Sequence, residues 1–483
     1  MKPANLFVIL LFILPIAVFG QDVDIPEKAL KHIRERDLRS TMSVLTSERL
    51  EGRATGQPGA DKAADYIAGR FSKLGLQPFE NGSYFQTFNM WGTQYGMAEI
   101  LVNGNRIVGD TALFNIGTVA QNNKITRQLV FVGNANDSLL ARMDLQDKVV
   151  LAMFGNLNRR LSLVSKLQKK GVFAVIGFNP DNDAQYDEAK NGALKLRSYA
   201  SLSMRKPIIQ EEGLKMVILN NTQLPVLIGK SASELKLLAD QVDPSLPLGA
   251  TIEMILPMHE ENAVAKNVIG VLKGSDVDAK PIAVTAHYDH VGRQPDGSVC
   301  LGADDNASGV SVVLEVAESF TKLKEKPSHD IYFIAFTAEE LGLYGSAYFM
   351  KDRKRDDFFA NINIDMIGRQ DTLTKDNYVY ILGTDKKPWA HELHQKANAK
   401  TVNLKLDYHY NQSTGMGSYM NRSDHFHFYK LGIPVISFFS GLHDDYHTPR
   451  DTMDKINFPL MTQRAKLVFA TLYMLDNYNG PLN

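Results

Sequence analysis

Three textures of apolar patterning follow one another along the chain. In the first, Leu30, Ile33, Leu38, Met42 and Leu45 recur at near-helical spacing, and residues 27–80 read as helical. After the turn-rich stretch Glu51-Gly52-Arg53-Ala54-Thr55-Gly56, a second helix fits Ala60 to Leu74, with Gly75 placed to stop it. In the second texture, from about Trp91 to His259, short apolar runs alternate with Asn, Asp and Gly clusters. Residues 128–132, 148–152 and 224–228 are such runs, and Gly171 to Gly177 looks like one buried strand. The pattern predicts a strand-dominated unit with few helices. In the third, from Asn262 onward, apolar runs at 281–286, 331–336, 361–365, 378–382 and 434–439 predict strands. Periodic stretches at 309–320, 389–397 and 461–475 predict helices between them. Such alternation argues an α/β fold with a mixed, mainly parallel sheet between helix layers.

The length of 483 residues exceeds what one core usually serves, so two folded units are expected. The apolar fraction of 44% is ordinary, and a formal net charge of -1 offers no global field for nucleic acid or an anionic membrane. The basic run Lys351 to Arg355 is followed at once by Asp356 and Asp357 and reads as a solvated helix end. At the N-terminus Lys2 precedes an apolar run from Leu6 to Phe19, then Gly20 and Gln21. That is the layout of a secretory signal cleaved near Gly20, and it predicts a secreted or periplasmic protein. The run is shorter than the roughly 18–20 residues of a spanning helix, so no stable membrane span is expected after cleavage. Cys300 is the only cysteine, which excludes an intrachain disulfide and a four-thiolate zinc site. It reads as a small packed side chain.

Chemistry collects at the ends of the predicted strands of the third segment. One strand runs into His287-Tyr288-Asp289, another into Thr337-Ala338-Glu339-Glu340, a third into Asp365, and the last into Gly441 to His447. In an open α/β sheet, ligands bind beyond the carboxyl ends of the strands. A crevice there would hold Asp289, Asp304 or Asp305, Glu339, Glu340 and Asp365, and no basic residue sits within those motifs to neutralise them. So many carboxylates ionise together only around cations. Carboxylate and imidazole without thiolate suit zinc, cobalt or manganese. Two histidines and three carboxylates match two metals sharing a bridging carboxylate, a device for activating water. Taken singly, Glu339-Glu340 could be a helix surface and Asp304-Asp305 a helix start; their joint order argues otherwise. His290, His425, His427 and His443 lie near the motifs, and the remaining histidines sit in polar surroundings.

Taken together, residues 286–290, 302–309, 336–340, 363–366 and 446–452 resemble the M28 family of zinc peptidases, and Leu50-Glu51-Gly52-Arg53 extends the match to the N-terminal helices. The resemblance implies two Zn2+ ions per chain. His287 and Asp365 would hold one, Glu340 and His447 the other, and Asp305 would bridge them. Glu339 would be the general base, with Asp289 orienting His287 and Asp451 orienting His447. Residues 96–261 resemble, more loosely, an inserted protease-associated (PA) domain. The implied layout is a signal at 1–20, the N-terminal part of the peptidase domain at 21–95, the insert at 96–261 and the main part at 262–483. The activity implied is removal of N-terminal residues from peptides. Alternatives are a carboxypeptidase or dipeptidase of the same family, a single-zinc glutaminyl cyclase, and a non-catalytic binding scaffold. Asn306-Ala307-Ser308 is formally a glycosylation acceptor, but it would lie in the site loop.

Overall fold

The computed structural model describes residues 23–95, 99–108, 121–154, 157–184, 186–187, 202–208, 213–241, 247–294, 296–373, 377–384, 387–412 and 418–481. The expected signal, residues 1–20, lies outside them. No helix among the described residues is long and apolar enough to cross a membrane.

The larger sheet runs in the order Gln77–Pro78, Met258–Leu272, Ile331–Phe336, Ile282–His287, Ala360–Ile364, Val435–Phe439, Tyr378–Leu382, Lys405–Asp407. Its four central strands, from Ile331–Phe336 to Val435–Phe439, are mutually parallel. Their carboxyl ends therefore lie along one edge. Successive residues face opposite layers: Ile282, Val284 and Ala286 enter one apolar cluster and Ala283 the other. Strands buried on both faces are mainly apolar, and the polar residues they do carry, Thr285, Asn361 and Asn363, hydrogen-bond to one another within the sheet. Helices Glu35–Leu45, Pro58–Lys73, Gly309–Thr321 and Phe458–Asp476 cover one face. Tyr344–Met350 and His425–Lys430 contribute to the other. The fold is thus mixed α/β, with a mainly parallel centre between helix layers.

Boundaries differ where local chemistry outweighs periodicity. The last helix begins at Phe458, because the Asn457 side chain accepts the Leu460 N–H and Pro459 fits the first turn. Residues 27–80 are not continuously helical. A kinked 3-10 segment, Glu48–Arg53, carries positive φ at Glu51, Gly52 and Arg53, and Gln77–Pro78 is already strand. Gly75 does end its helix, at φ 74°.

Phe85–Tyr95 pairs antiparallel with Met258–Leu272 over eleven residues, from Phe85 opposite Val268 to Tyr95 opposite Met258. This ribbon leads to a second, seven-stranded sheet, whose order is Asn105–Val108, Glu99–Val102, Pro247–Leu256, Gln121–Phe131, Val149–Met153, Ala174–Phe178, Lys215–Ile218. The expectation of few helices here is wrong. Asp137–Arg142, Leu157–Lys169, Leu224–Ile228 and Ala232–Gln241 are helical, and the ladders joining 149–153, 174–178 and 215–218 are parallel. Residues 224–228, read as a β-type run, form a short helix because Pro225 suits its first turn and Gly229 closes it in the left-handed conformation. The run at 171–177 opens with a turn at Gly171, φ 69°, and its strand is Ala174–Phe178.

Candidate metal centre

His287 is the last residue of its strand, Asp365 follows directly on Ile364, and Glu339 and Glu340 follow Phe336 across Thr337 and Ala338. Beyond the Val435–Phe439 strand the chain turns back to His447. Asp305, from a fifth segment, lies at the entrance to the buried helix Gly309–Thr321. All these groups meet at the carboxyl edge of the parallel strands, and they form two sets. His287, Glu339 and Asp365 offer ligand atoms within 4.8 Å of one another, as do His290, Asp305, Glu340 and His447. Asp305 joins the sets: Oδ1 lies 3.4 Å from His287 Nε2 and Oδ2 lies 3.0 Å from His447 Nε2. His447 Nε2 is also 2.9 Å from Glu340 Oε2, and His287 Nε2 is 3.4 Å from Asp365 Oδ1.

Every expected ligand is therefore brought to one place, but one expectation needs correction, that for Asp451. Glu339 and Glu340 sit in a turn past the strand, where Ala338 has φ 55°. Asp289 faces His287 Nδ1 with its carbonyl, at 3.1 Å, and with its carboxylate, at 3.7 Å. The carboxylate also accepts from the Glu339 N–H and the Thr55 hydroxyl, so it ties the glutamate turn to the N-terminal segment. Asp451 forms no hydrogen bond or ion pair with His447. It accepts the N–H groups of Asp304 and Asp305 and so fixes the acid loop.

Two residues of the site carried no assigned role. His290 reaches Glu340 Oε1 at 2.8 Å and Asp305 Oδ2 at 3.4 Å through Nδ1; its spacing of three from His287 was the available signal. Arg53 is wholly buried and donates to the carbonyls of Leu45, Tyr288, Leu301 and Gly302. A cation is thus present although none lies inside the acidic motifs. Burial lowers the Arg53 pKa to about 10, against the pull of Asp305, Asp289, Asp451 and Glu340. To admit this segment, Gly52 approaches so closely that a Cβ there would lie 2.0 Å from the Cys300 carbonyl. Cys300 is buried, and burial pushes its thiol up to about 11, which leaves it an inert packed group. His443 lies 3.4 Å from Asp304, outside both sets. Asn306 is buried, with its amide on the Ile364 carbonyl, so its glycosylation signal is inaccessible.

The electrostatics are those of a site that wants cations. Burial, then Glu340 and Asp365, hold the Glu339 carboxyl well above its usual range, while His287 pulls the other way. Burial opposes charge on His447 and His290, yet contacts with Asp305 and Glu340 lift their pKa values to about 10 and about 9. Asp305, against its burial, is held well below the usual carboxylate range by His290, His287 and His447. Moreover, Asp305 Oδ2 and His447 Nε2 are buried and close together yet lack hydrogen-bond geometry. Atoms that converge without bonding one another fit donors aimed at a shared ion, and an oxygen and nitrogen donor set suits zinc. Beside the centre opens a cleft, about 520 Å³ of empty space counting the open solvent at its mouth, with His287, Glu339 and Asp365 in its wall along with Met366, Leu382 and Phe439.

Residues 267–472 match the model of peptidase family M28. Aminopeptidase YwaD of Bacillus subtilis (strain 168) is 35% identical over 226 residues, 44% of this chain and 45% of that protein. Leucine aminopeptidase 2 of Arthroderma otae is 26% identical over 260 residues, 48% of this chain and 49% of that protein. The chain thus spans about half the length of these curated relatives. The solved structure of BSAP, a zinc aminopeptidase from Bacillus subtilis, superposes with a TM-score of 0.53 at 22% identity, covering 93% of this chain and 95% of that one. An aminopeptidase from Aneurinibacillus sp. strain AM-1 gives 0.50 at 23%, covering 92% and 95%. At this identity the likeness concerns the fold.

Proposed function

We propose that the chain, residues 267–472 of which match the model of peptidase family M28, is a secreted two-zinc aminopeptidase acting on peptides. The observation that carries the reading is Asp305, whose two oxygens face separate donor sets. His287 and Asp365 would hold one ion, Glu340 and His447 the other, and Asp305 would be shared. His290, packed on Glu340 and Asp305, would steady the second set. Zinc there supplies Lewis acidity, bringing the pKa of water to near neutrality and polarising a carbonyl. Glu339 lies beside His287 and Asp365, accepts the proton of the attacking water and returns it to the departing amine, so that the residue ends the cycle as it began. Asp289 holds the Glu339 N–H and thereby places this base. The second sheet is read as a PA-like insert, residues 96–261, that borders the cleft. Leu202 supports this, since it lines a cavity together with Asp289, His290 and Glu340. Export would use the signal at 1–20.

Metal content per purified chain, measured with hydrolysis of free-amine and N-blocked peptides, tests this. Two zincs and cleavage of free-amine substrates alone are expected. One zinc without peptide hydrolysis would favour a cyclase, and cleavage from the carboxyl end would favour a carboxypeptidase.

A further inference from the structure

Among the donors lining the cavity beside the metal centre that the proposed reaction does not use, besides the hydroxyls of Tyr419, Ser423, Ser437 and Tyr446, are two nitrogen groups. The first is His425. Its ring is 2% exposed and lines the cavity, and its Nε2 has no hydrogen-bond partner. A chain of bonds through the sheet fixes which nitrogen holds the hydrogen. The Asn361 amide donates to the Thr285 hydroxyl (3.0 Å), so that hydroxyl must donate onward to Asn363 Oδ1 (2.7 Å). Asn363 therefore presents its NH2 to Ser423 and, at 3.4 Å, to His425 Nδ1. An Nδ1 that accepts leaves the hydrogen on Nε2. Burial drives the His425 pKa down to about 4, so the ring is neutral and keeps this tautomer. An N–H that is buried and unmatched is costly unless a ligand meets it.

The second donor is Arg422. It lines the same cavity, is exposed, and stacks over Tyr419 with its guanidinium 5.0 Å from the ring centroid. Among the described residues no carboxylate pairs with it. Met366, Leu382, Phe439 and Leu442 supply the apolar part of the wall. An apolar sleeve with a planar cation and a neutral N–H suits a short aliphatic stem ending in an acceptor.

We propose that this cavity selects a first residue whose side chain ends in a carboxylate, with Arg422 meeting its charge and His425 Nε2–H one of its oxygens. This rests on the aminopeptidase reading. A leucyl side chain would fill the sleeve but leave the His425 N–H unmatched, and a site built around a polar contact discriminates against the analogue that lacks it.

The test uses the zinc-loaded full chain and 4-nitroanilides of Glu, Gln and Leu, which have no α-carboxylate. Expected is kcat/KM in the order Glu, Gln, Leu, with Glu at least about tenfold above Leu. Arg422→Gln should lower Glu at least about tenfold and leave Leu within twofold, the unchanged Leu rate showing that the fold is intact. His425→Phe should compress the Gln-to-Leu ratio. A wild-type preference for Leu over Glu, or an equal loss of both in Arg422→Gln, overturns the proposal. So does an effect of Arg422→Gln seen only with free dipeptides, which would assign Arg422 to the substrate's terminal carboxylate. Hydrolysis of no free-amine anilide would instead remove the aminopeptidase reading, and this inference with it.

Discussion

Replacing Arg53 by Met would keep a similar stem in the core and delete every donor. Four carbonyls now face that guanidinium, at 2.6 to 2.9 Å. Hydrogen bonds to a charged group contribute about 1.5–3 kcal/mol each, and a buried acceptor left alone costs about 1–3 kcal/mol. Neighbouring losses do not add fully, so a total of roughly 4–6 kcal/mol is the working figure, at the upper end for single substitutions. The effect should also be local. Tyr288 lies between His287 and Asp289, and Leu301 and Gly302 lead into Asp304 and Asp305. Loosening these two loops should weaken zinc binding at least about tenfold in a chelator competition, measured where the variant is still folded. Arg53→Lys, whose ammonium has three donors, should recover part of both losses. Denaturant unfolding of the metal-free protein supplies the stability and the competition supplies the affinity. If Arg53→Met unfolds within about 1 kcal/mol of the wild type and takes up zinc equally well, the residue does not hold the loops together.

Glu339→Gln should retain both metals and lose about 10²–10⁴ of kcat, and wild-type turnover would remove Glu339 from the base role. His447→Ala should lower zinc content per chain; unchanged content would point to another ligand, with His290 the nearest candidate. Glu315, 1% exposed in the helix Gly309–Thr321, has no hydrogen-bond partner on either carboxylate oxygen and only Arg70 at 3.9 Å, and burial followed by Glu318 and Asp37 raises its pKa from 4.5 to about 8. Its folded-state pKa is raised, so the native state favours the protonated form, and stability should fall as pH climbs from about 4.5 toward about 8. Glu315→Gln should therefore raise the unfolding midpoint more at pH 8.5 than at pH 5; a difference independent of pH would refute the assignment.

The strands of the larger sheet were legible because burial on both faces leaves an uninterrupted apolar run, as in Ile331–Phe336 and Tyr378–Leu382. The acids and histidines were legible because a parallel sheet delivers the residues after each strand to one edge. What the sequence hid depends on contacts distant along the chain. Arg53 meets Gly302 across 249 positions, and neither neighbourhood advertises the other. The duties of Asp289 and Asp451 turn on which backbone N–H groups come within reach, which motif spacing does not encode. The helix Leu224–Ile228 was hidden for a local reason: five apolar residues carry too little periodicity to separate strand from helix, and its Pro and Gly end signals decide the matter.

The ribbon of Phe85–Tyr95 on Met258–Leu272 bears on the order of assembly. Its ends, Tyr95 and Met258, are neighbours across one ladder although roughly 160 residues intervene. Were that stretch unstructured, pairing the two strands would close a long loop, with a length-dependent entropy of about 4–5 kcal/mol. If the second sheet forms first, it brings its own entry and exit side by side and most of that entropy is already spent. The smaller sheet would then act as an internal clamp for the larger one. An amide-exchange pulse during refolding should find the strands at 149–153 and 174–178 protected before Met258–Leu272 pairs with Ile331–Phe336.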